Sequence, residues 1–149
     1  MNTISGFFGR FRWLSNFVPA RVLLDDVDYP TVEHAYQAAK SLLPHERARI
    51  GRLATALEAK RAGKRLTISS CWNSRKLAVM RGLLEQKFAL EPYRTQLLNT
   101  GTAQIVETNY WKDTFWGVCN GVGENHLGRL LMDVREQLQR QTAPLGEVR

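Results

Sequence analysis

Tyr29-Pro-Thr-Val-Glu-His-Ala-Tyr-Gln-Ala-Ala-Lys40 is the stretch on which the fold turns. Pro30 stands just ahead of a helical pattern, a common place for proline. Thr31 supplies a hydroxyl that caps the helix start. The spacing predicts a helix from Thr31 to about Leu43, with Val32, Tyr36, Ala39 and Leu43 as its apolar stripe. Glu33, Gln37 and Lys40 form a polar stripe beside it. Two turns separate Glu33 from Lys40, about 10 Å along the axis. That is too far for an ordinary helical ion pair, and suits two long side chains that converge on a bound sugar. Charged residues are mostly exposed, so this helix alone reads both as solvated neighbours of the core stripe. The rest of the chain gives them chemistry.

With 149 residues, one domain spanning 1–149 is the default expectation. A hydrophobic share of 44% suffices for a core. No apolar run approaches the ~20 residues of a membrane span, so no membrane partner is expected. Met-Asn-Thr-Ile-Ser-Gly carries no basic start leading into an apolar stretch, hence no secretory signal is expected. Cys71 and Cys119 are too few and too isolated for a disulfide framework or a zinc site. His34, His45 and His126 show no ligand spacing, so no metal is expected. A cytoplasmic location follows as the expectation, with no cofactor. The net charge of +7 and a pI near 9.8 favour a phosphate-bearing or nucleic-acid partner, DNA or RNA.

Along the chain, Phe7 to Phe11 reads as an edge strand, followed by a loop through Ser15, Asn16 and Phe17 rich in groups able to touch a ligand. Val22–Leu24 and Val27–Tyr29 flank Asp25-Asp26 as a hairpin. A second helix is expected from about His45 to Leu57, then a basic run, Ala59 to Arg65, as a helix end and turn. A long helix is expected from about Asn73 to Phe88 with Leu77, Met80, Leu84 and Phe88 inward. A shorter one opens at Pro92, and Gln104–Glu107 is strand-like. A final helix runs from about Asn125 to Arg140, with Leu127, Leu130, Leu131, Val134 and Leu138 on one face. Residues from about 142 to 149 are expected to fray. The fold class is helix-rich α+β with a small sheet.

The loop from Glu107 to Asn125 crowds three acids, two tryptophans and several glycines into one connection, and long irregular connections are usually functional. Trp116 before Gly117 suits stacking on a flat heterocycle. The glycines ahead of Asn125 lead to a helix start whose N–H groups suit phosphate. No phosphate-loop or dinucleotide fingerprint is present. Ser15 lacks a nucleophile elbow, and the two cysteines have no histidine partner. Acid–base chemistry by carboxylates, with a lysine, remains.

These residues resemble the NADAR superfamily, also called YbiA-like proteins, nearly from end to end. The match runs from Ser15-Asn-Phe-Val-Pro19 through Val32-Glu-His-Ala-Tyr36, Lys40, Trp72 with Met80, Lys87-Phe88, Ile105-Val-Glu107, Asp113-Thr-Phe-Trp-Gly117 and Gly123-Glu-Asn-His-Leu-Gly128 to Arg135. The resemblance implies an α+β domain that handles ADP-ribose-like or ribosyl-phosphate compounds. Some relatives are N-glycosidases of phosphorylated riboflavin-pathway intermediates; others remove ADP-ribose from guanine.

Breaking an N-glycosidic bond makes C1′ cationic while the base leaves protonated. A carboxylate near the sugar, a proton donor and a dry stacking surface are required. Glu33 and Asp113 offer the carboxylates, and Trp116 or Trp72 the surface. If the leaving group is an amine on an opened ribose, a lysine with a depressed pKa can attack C1′ and form a Schiff base. The catalytic candidates are therefore Glu33 as acid/base, Lys40 as nucleophile or anchor, and Asp113 to position ribose or water. The substrate-binding candidates are Ser15, Asn16, Phe17, Tyr36, Trp72, Lys87, Trp116, Gly117 and Asn125. The basic charge puts ADP-ribosylated guanine in nucleic acid first, with an ADP-ribosyltransferase as the expected partner. A phosphoribosyl riboflavin-pathway intermediate comes second, and a non-enzymatic ADP-ribose or nucleic-acid binding module third.

Overall fold

The computed structural model describes residues 2–143. Its elements run β1 (Thr3–Ser5), a 3₁₀ segment (Gly9–Leu14), β2 (Val22–Leu24), β3 (Val27–Tyr29), α1 (Val32–Ala39), α2 (Pro44–Gly51), α3 (Ala56–Ala62), a 3₁₀ turn (Gly63–Arg65), α4 (Trp72–Lys87), α5 (Tyr93–Asn99), β4 (Gln104–Val106) and α6 (His126–Thr142). This is the helix-rich α+β arrangement with little sheet that the sequence predicts. No helix among the described residues is long and apolar enough to cross a membrane. The chain forms two compact units, Leu14–Leu90 and Met1–Trp13 with Glu91–Arg149.

In the Leu14–Leu90 unit, β2 and β3 pair antiparallel with Val22 opposite Tyr29. Asp25 and Asp26 both adopt positive φ, 48° and 67°, as the tight turn that matches strand twist requires. Thr31 caps α1 as expected, its Oγ accepting from the His34 N–H at 3.0 Å. The helix stops at Ala39, short of Leu43. Leu43 precedes Pro44, which disfavours helical backbone at the residue before it, and Leu43 is extended at φ −85°, ψ 118°. Pro44 therefore opens α2, and Leu43 leaves the apolar stripe at 39% exposed.

The single helix expected over residues 45–57 is two. Thr55 starts α3 afresh: its hydroxyl accepts from the Glu58 N–H at 3.1 Å and donates to the Glu58 carboxylate at 2.9 Å, a variant of the reciprocal cap that marks a new helix. α4 buries Met80, Leu84 and Phe88 as predicted. Leu77 turns outward, and Trp72 is the buried residue of the first turn. α1 packs against α2, α3, α4 and β2.

In the other unit the strand is β1, not Phe7–Phe11. Gly6 and Gly9 take positive φ, 84° and 56°, which turns the chain before the 3₁₀ segment. β1 pairs in parallel with β4, Ile4 opposite Ile105. α6 packs on β4 and α5, burying Leu127, Leu131, Val134 and Leu138, while Leu130 is half-buried. Residues 144–149 of the tail expected to fray lie outside the described residues.

Candidate active site

α1 is buried on every side: all eight residues from Val32 to Ala39 are in the interior. An apolar helix accepts this readily, but α1 carries Glu33, His34 and Gln37. Each buried polar group needs a partner. The His34 ring contacts the Thr31 hydroxyl at 2.7 Å and the Leu53 carbonyl at 3.0 Å, which makes it a structural residue. Glu33 is 8% exposed, so the solvated reading of that residue does not hold. Its carboxylate accepts from the Gln37 side-chain amide at 2.6 Å, and its backbone N–H donates to the Asn16 carbonyl at 3.1 Å. The loop through Asn16 is thereby fastened to the first turn of α1.

Lys40 caps the other end of the helix and is half-buried. Loss of water pushes its pKa below the ordinary lysine value; Glu33 opposes the shift, while Lys76 and Lys60 add to it. Glu33 and Lys40 thus feel each other across the two turns, and two further lysines converge on the same place. The Lys40 ammonium lies 5.5 Å from the Tyr36 ring centre and the Lys60 ammonium 5.9 Å from that of Phe17, cation–π range. Tyr36 packs at 58° against Trp72, ring centres 5.3 Å apart. One unit therefore assembles a buried carboxylate, a desolvated lysine, two more cations and three aromatic rings.

The flanking candidates hold this assembly. Phe17 N–H donates to the Ser15 hydroxyl at 3.1 Å. Asn16 donates to the Met80 sulfur at 3.6 Å, and its side-chain oxygen is buried with no partner. Lys87, expected at phosphate or ribose, is 0% exposed, and its ammonium donates to the Ser15 carbonyl at 2.8 Å. In this structure Lys87 fastens the loop through Ser15 to α4.

The remaining candidates lie in the other unit. Asp113 Oδ1 accepts from the Phe115 and Trp116 N–H groups at 3.2 and 2.8 Å, and Asn109 brackets the turn from both sides. Trp116 meets Phe115 edge-on at 4.9 Å. At Gly117 a Cβ would overlap the Glu107 carbonyl and carboxylate and approach the Asn109 amide to 2.7 Å, so close packing requires glycine there. Asn125 adopts left-handed backbone; its side chain accepts from Glu107 N–H at 2.9 Å and donates to the Ile105 carbonyl at 3.0 Å. The N–H groups of Asn125, His126 and Leu127 donate to the carbonyls of Gly117, Phe115 and Trp116. The donors that the sequence offers to phosphate at this helix start are thus taken by the protein itself. A cavity of about 700 Å³ in this unit, lined by Arg10, Phe11, Trp13 and Gln96 among others, contains none of the candidates.

Sequence reasoning gave Gln37 no role, although its i,i+4 relation to Glu33 is a visible signal. It missed Lys76, whose approach to Lys40 comes from a distant helix.

Residues 6–139 match the model of the NADAR domain. N-glycosidase YbiA of Shigella flexneri serotype 5b is 39% identical over 128 residues, 83% of this chain and 79% of that one. A riboflavin biosynthesis protein of Vibrio vulnificus is 35% identical over 131 residues, 85% of this chain but 35% of that longer protein. The NMR structure of the E. coli protein YbiA superposes with a TM-score of 0.84 at 32% identity, covering 98% of this chain and 91% of that one. A match of this extent in family model, sequence and fold means that the chain belongs to the NADAR domain family.

Proposed function

We propose that this N-glycosyl hydrolase removes ADP-ribose from guanine in nucleic acid, with Glu33 as acid–base group and Lys40 as nucleophile. The observation that carries the reading is the pairing, on a helix buried all round, of a carboxylate with a lysine whose pKa is lowered by burial. A lysine whose pKa is lowered gives up its proton more readily, freeing the lone pair that adds to C1′ of the opened ribose. Glu33 delivers a proton to the departing base nitrogen, leaving a Schiff base between Lys40 and the sugar. Water then adds to C1′, Glu33 accepts its proton, and the sugar is released with Lys40 restored. Tyr36, Trp72 and Phe17 supply flat apolar surface, and the lysines attract the diphosphate.

Charge supports a polyanionic substrate. Residues 14–90 hold thirteen Lys and Arg against seven Asp and Glu, so six of the chain's seven net positive charges fall in the unit that carries Glu33 and Lys40. A second reading, a phosphoribosylamino-pyrimidine of riboflavin synthesis, is favoured by the similarity to the Vibrio protein. Incubation with an ADP-ribosylated guanine oligonucleotide and, separately, with a phosphoribosylamino-pyrimidine decides between them by which loses its sugar. Binding of both with cleavage of neither would make the protein a binding module.

A further inference from the structure

We propose that Gln37 is the positioning residue for the Glu33 carboxylate, and that position 63 is glycine to make room for Gln37. The inference rests on the reading of Glu33 as the reaction's acid–base group.

Gln37 is 4% exposed, one turn beyond Glu33. Its amide nitrogen donates to Glu33 Oε2 at 2.6 Å, at the short end for a hydrogen bond to a carboxylate. Its amide oxygen is buried with no partner. A glutamine that only filled space would not leave a buried acceptor empty, since nearly all such groups are satisfied. Turning the amide over would face oxygen against carboxylate oxygen. The observed orientation is therefore set by Glu33, and the unpaired oxygen is its consequence.

Gly63 opens the 3₁₀ turn after α3 with φ −57°, a conformation open to every residue. Its backbone does not call for glycine. Space does: a Cβ at 63 would overlap the Gln37 amide oxygen and stand 2.7 Å from its Cδ. Gln37 is thus held between the α3 end and Glu33, with its donor aimed at the carboxylate. A hydrogen bond to the ionised form favours that form, so Gln37 orients the carboxylate and supports its ionised state.

The test is the pH–rate profile on an ADP-ribosylated guanine oligonucleotide. Gln37→Met keeps shape and removes the donor. We expect kcat to fall on the order of 10²-fold, the cost of a misplaced catalytic group, with KM changed only a few-fold. The limb of the profile set by the carboxylate should move to higher pH. Gly63→Ala should reproduce both effects without touching Glu33 or Gln37. In the Gln37→Ala background, which removes the atoms that the new Cβ meets, Gly63→Ala should add nothing. A wild-type kcat and an unmoved profile in Gln37→Met, or in Gly63→Ala should the first variant not fold, overturns the proposal. That failure is distinct from failure of the functional reading, which would appear as an active Glu33→Gln.

Discussion

A carboxylate almost out of water, two turns from a half-buried lysine, is costly to fold, since each ionised group is penalised by burial. Such pairs concentrate where chemistry is done. If Glu33 moves the protons, Glu33→Gln lowers turnover on the order of 10² to 10⁴-fold with an unchanged circular dichroism spectrum. Activity within a few-fold of wild type removes Glu33 from the mechanism. Lys40 gives a prediction with a sign. Its pKa lies below the ordinary value chiefly through burial, and the Lys76 and Lys60 charges lower it further. Neutral amine, and with it a rate limited by Lys40 attack, increases as pH rises through that pKa. Lys76→Met or Lys60→Met removes a lowering influence, so the rising limb of the profile moves to higher pH. A limb that moves to lower pH, or stays, contradicts the assignment.

At the scale of elements, the loop ahead of α6 is a network of backbone groups and short side chains. Asn125 closes it from a left-handed conformation that asparagine tolerates better than most residues. Asn125→Ala loses two hydrogen bonds and strains the backbone, about 3 kcal/mol together, to be read by urea unfolding. A loss under about 0.5 kcal/mol, on the scale of ordinary surface substitutions, would show that the loop does not depend on Asn125. Many elements are legible in the sequence because their signals are local: Thr31 before α1, Asp25-Asp26 in the hairpin, Pro92 ahead of α5. The reciprocal cap at Thr55 and Glu58 is an equally local signal, and it divides the single helix expected over residues 45–57 into α2 and α3. Pro44 was read as a stop when it is also a start. β1 was misplaced because Phe7, Phe8 and Phe11 look like a strand, whereas the positive φ of Gly6 and Gly9 decides the path.

Over the whole molecule, positive charge gathers in the unit that carries Glu33 and Lys40. Arg61, Lys64 and Arg65 are exposed on α3 and the turn after it, and the turn's first residue abuts Gln37. If they track a phosphate backbone, log affinity for the modified oligonucleotide falls with log salt by about 0.7–0.9 per phosphate neutralised. Replacing all three by glutamine should then flatten the slope by about 2–3, with free ADP-ribose affected much less. Equal slopes for the two ligands would favour the small-molecule substrate. Glu33 and Lys40 can be paired from the sequence because both belong to one short helical segment. Their burial cannot be read there, because α2, α3, α4 and β2 deliver it from elsewhere in the chain, and no stripe of eight residues records what covers its polar side. For the same reason the sequence does not record that the Lys87 ammonium is buried and donates to the Ser15 carbonyl.

In the proposed reaction Lys40 bonds covalently to the sugar. Borohydride added during turnover of an ADP-ribosylated guanine oligonucleotide reduces a Schiff base to a stable amine. We expect a protein heavier by the reduced ADP-ribosyl group, with peptide mapping placing it on Lys40, and no adduct on Lys40→Arg although that variant still binds ligand. Continued turnover with no trapped adduct, alongside an inactive Lys40→Ala, would contradict it. Lys40 would then be an electrostatic clamp, and water would attack a cationic sugar stabilised by carboxylate.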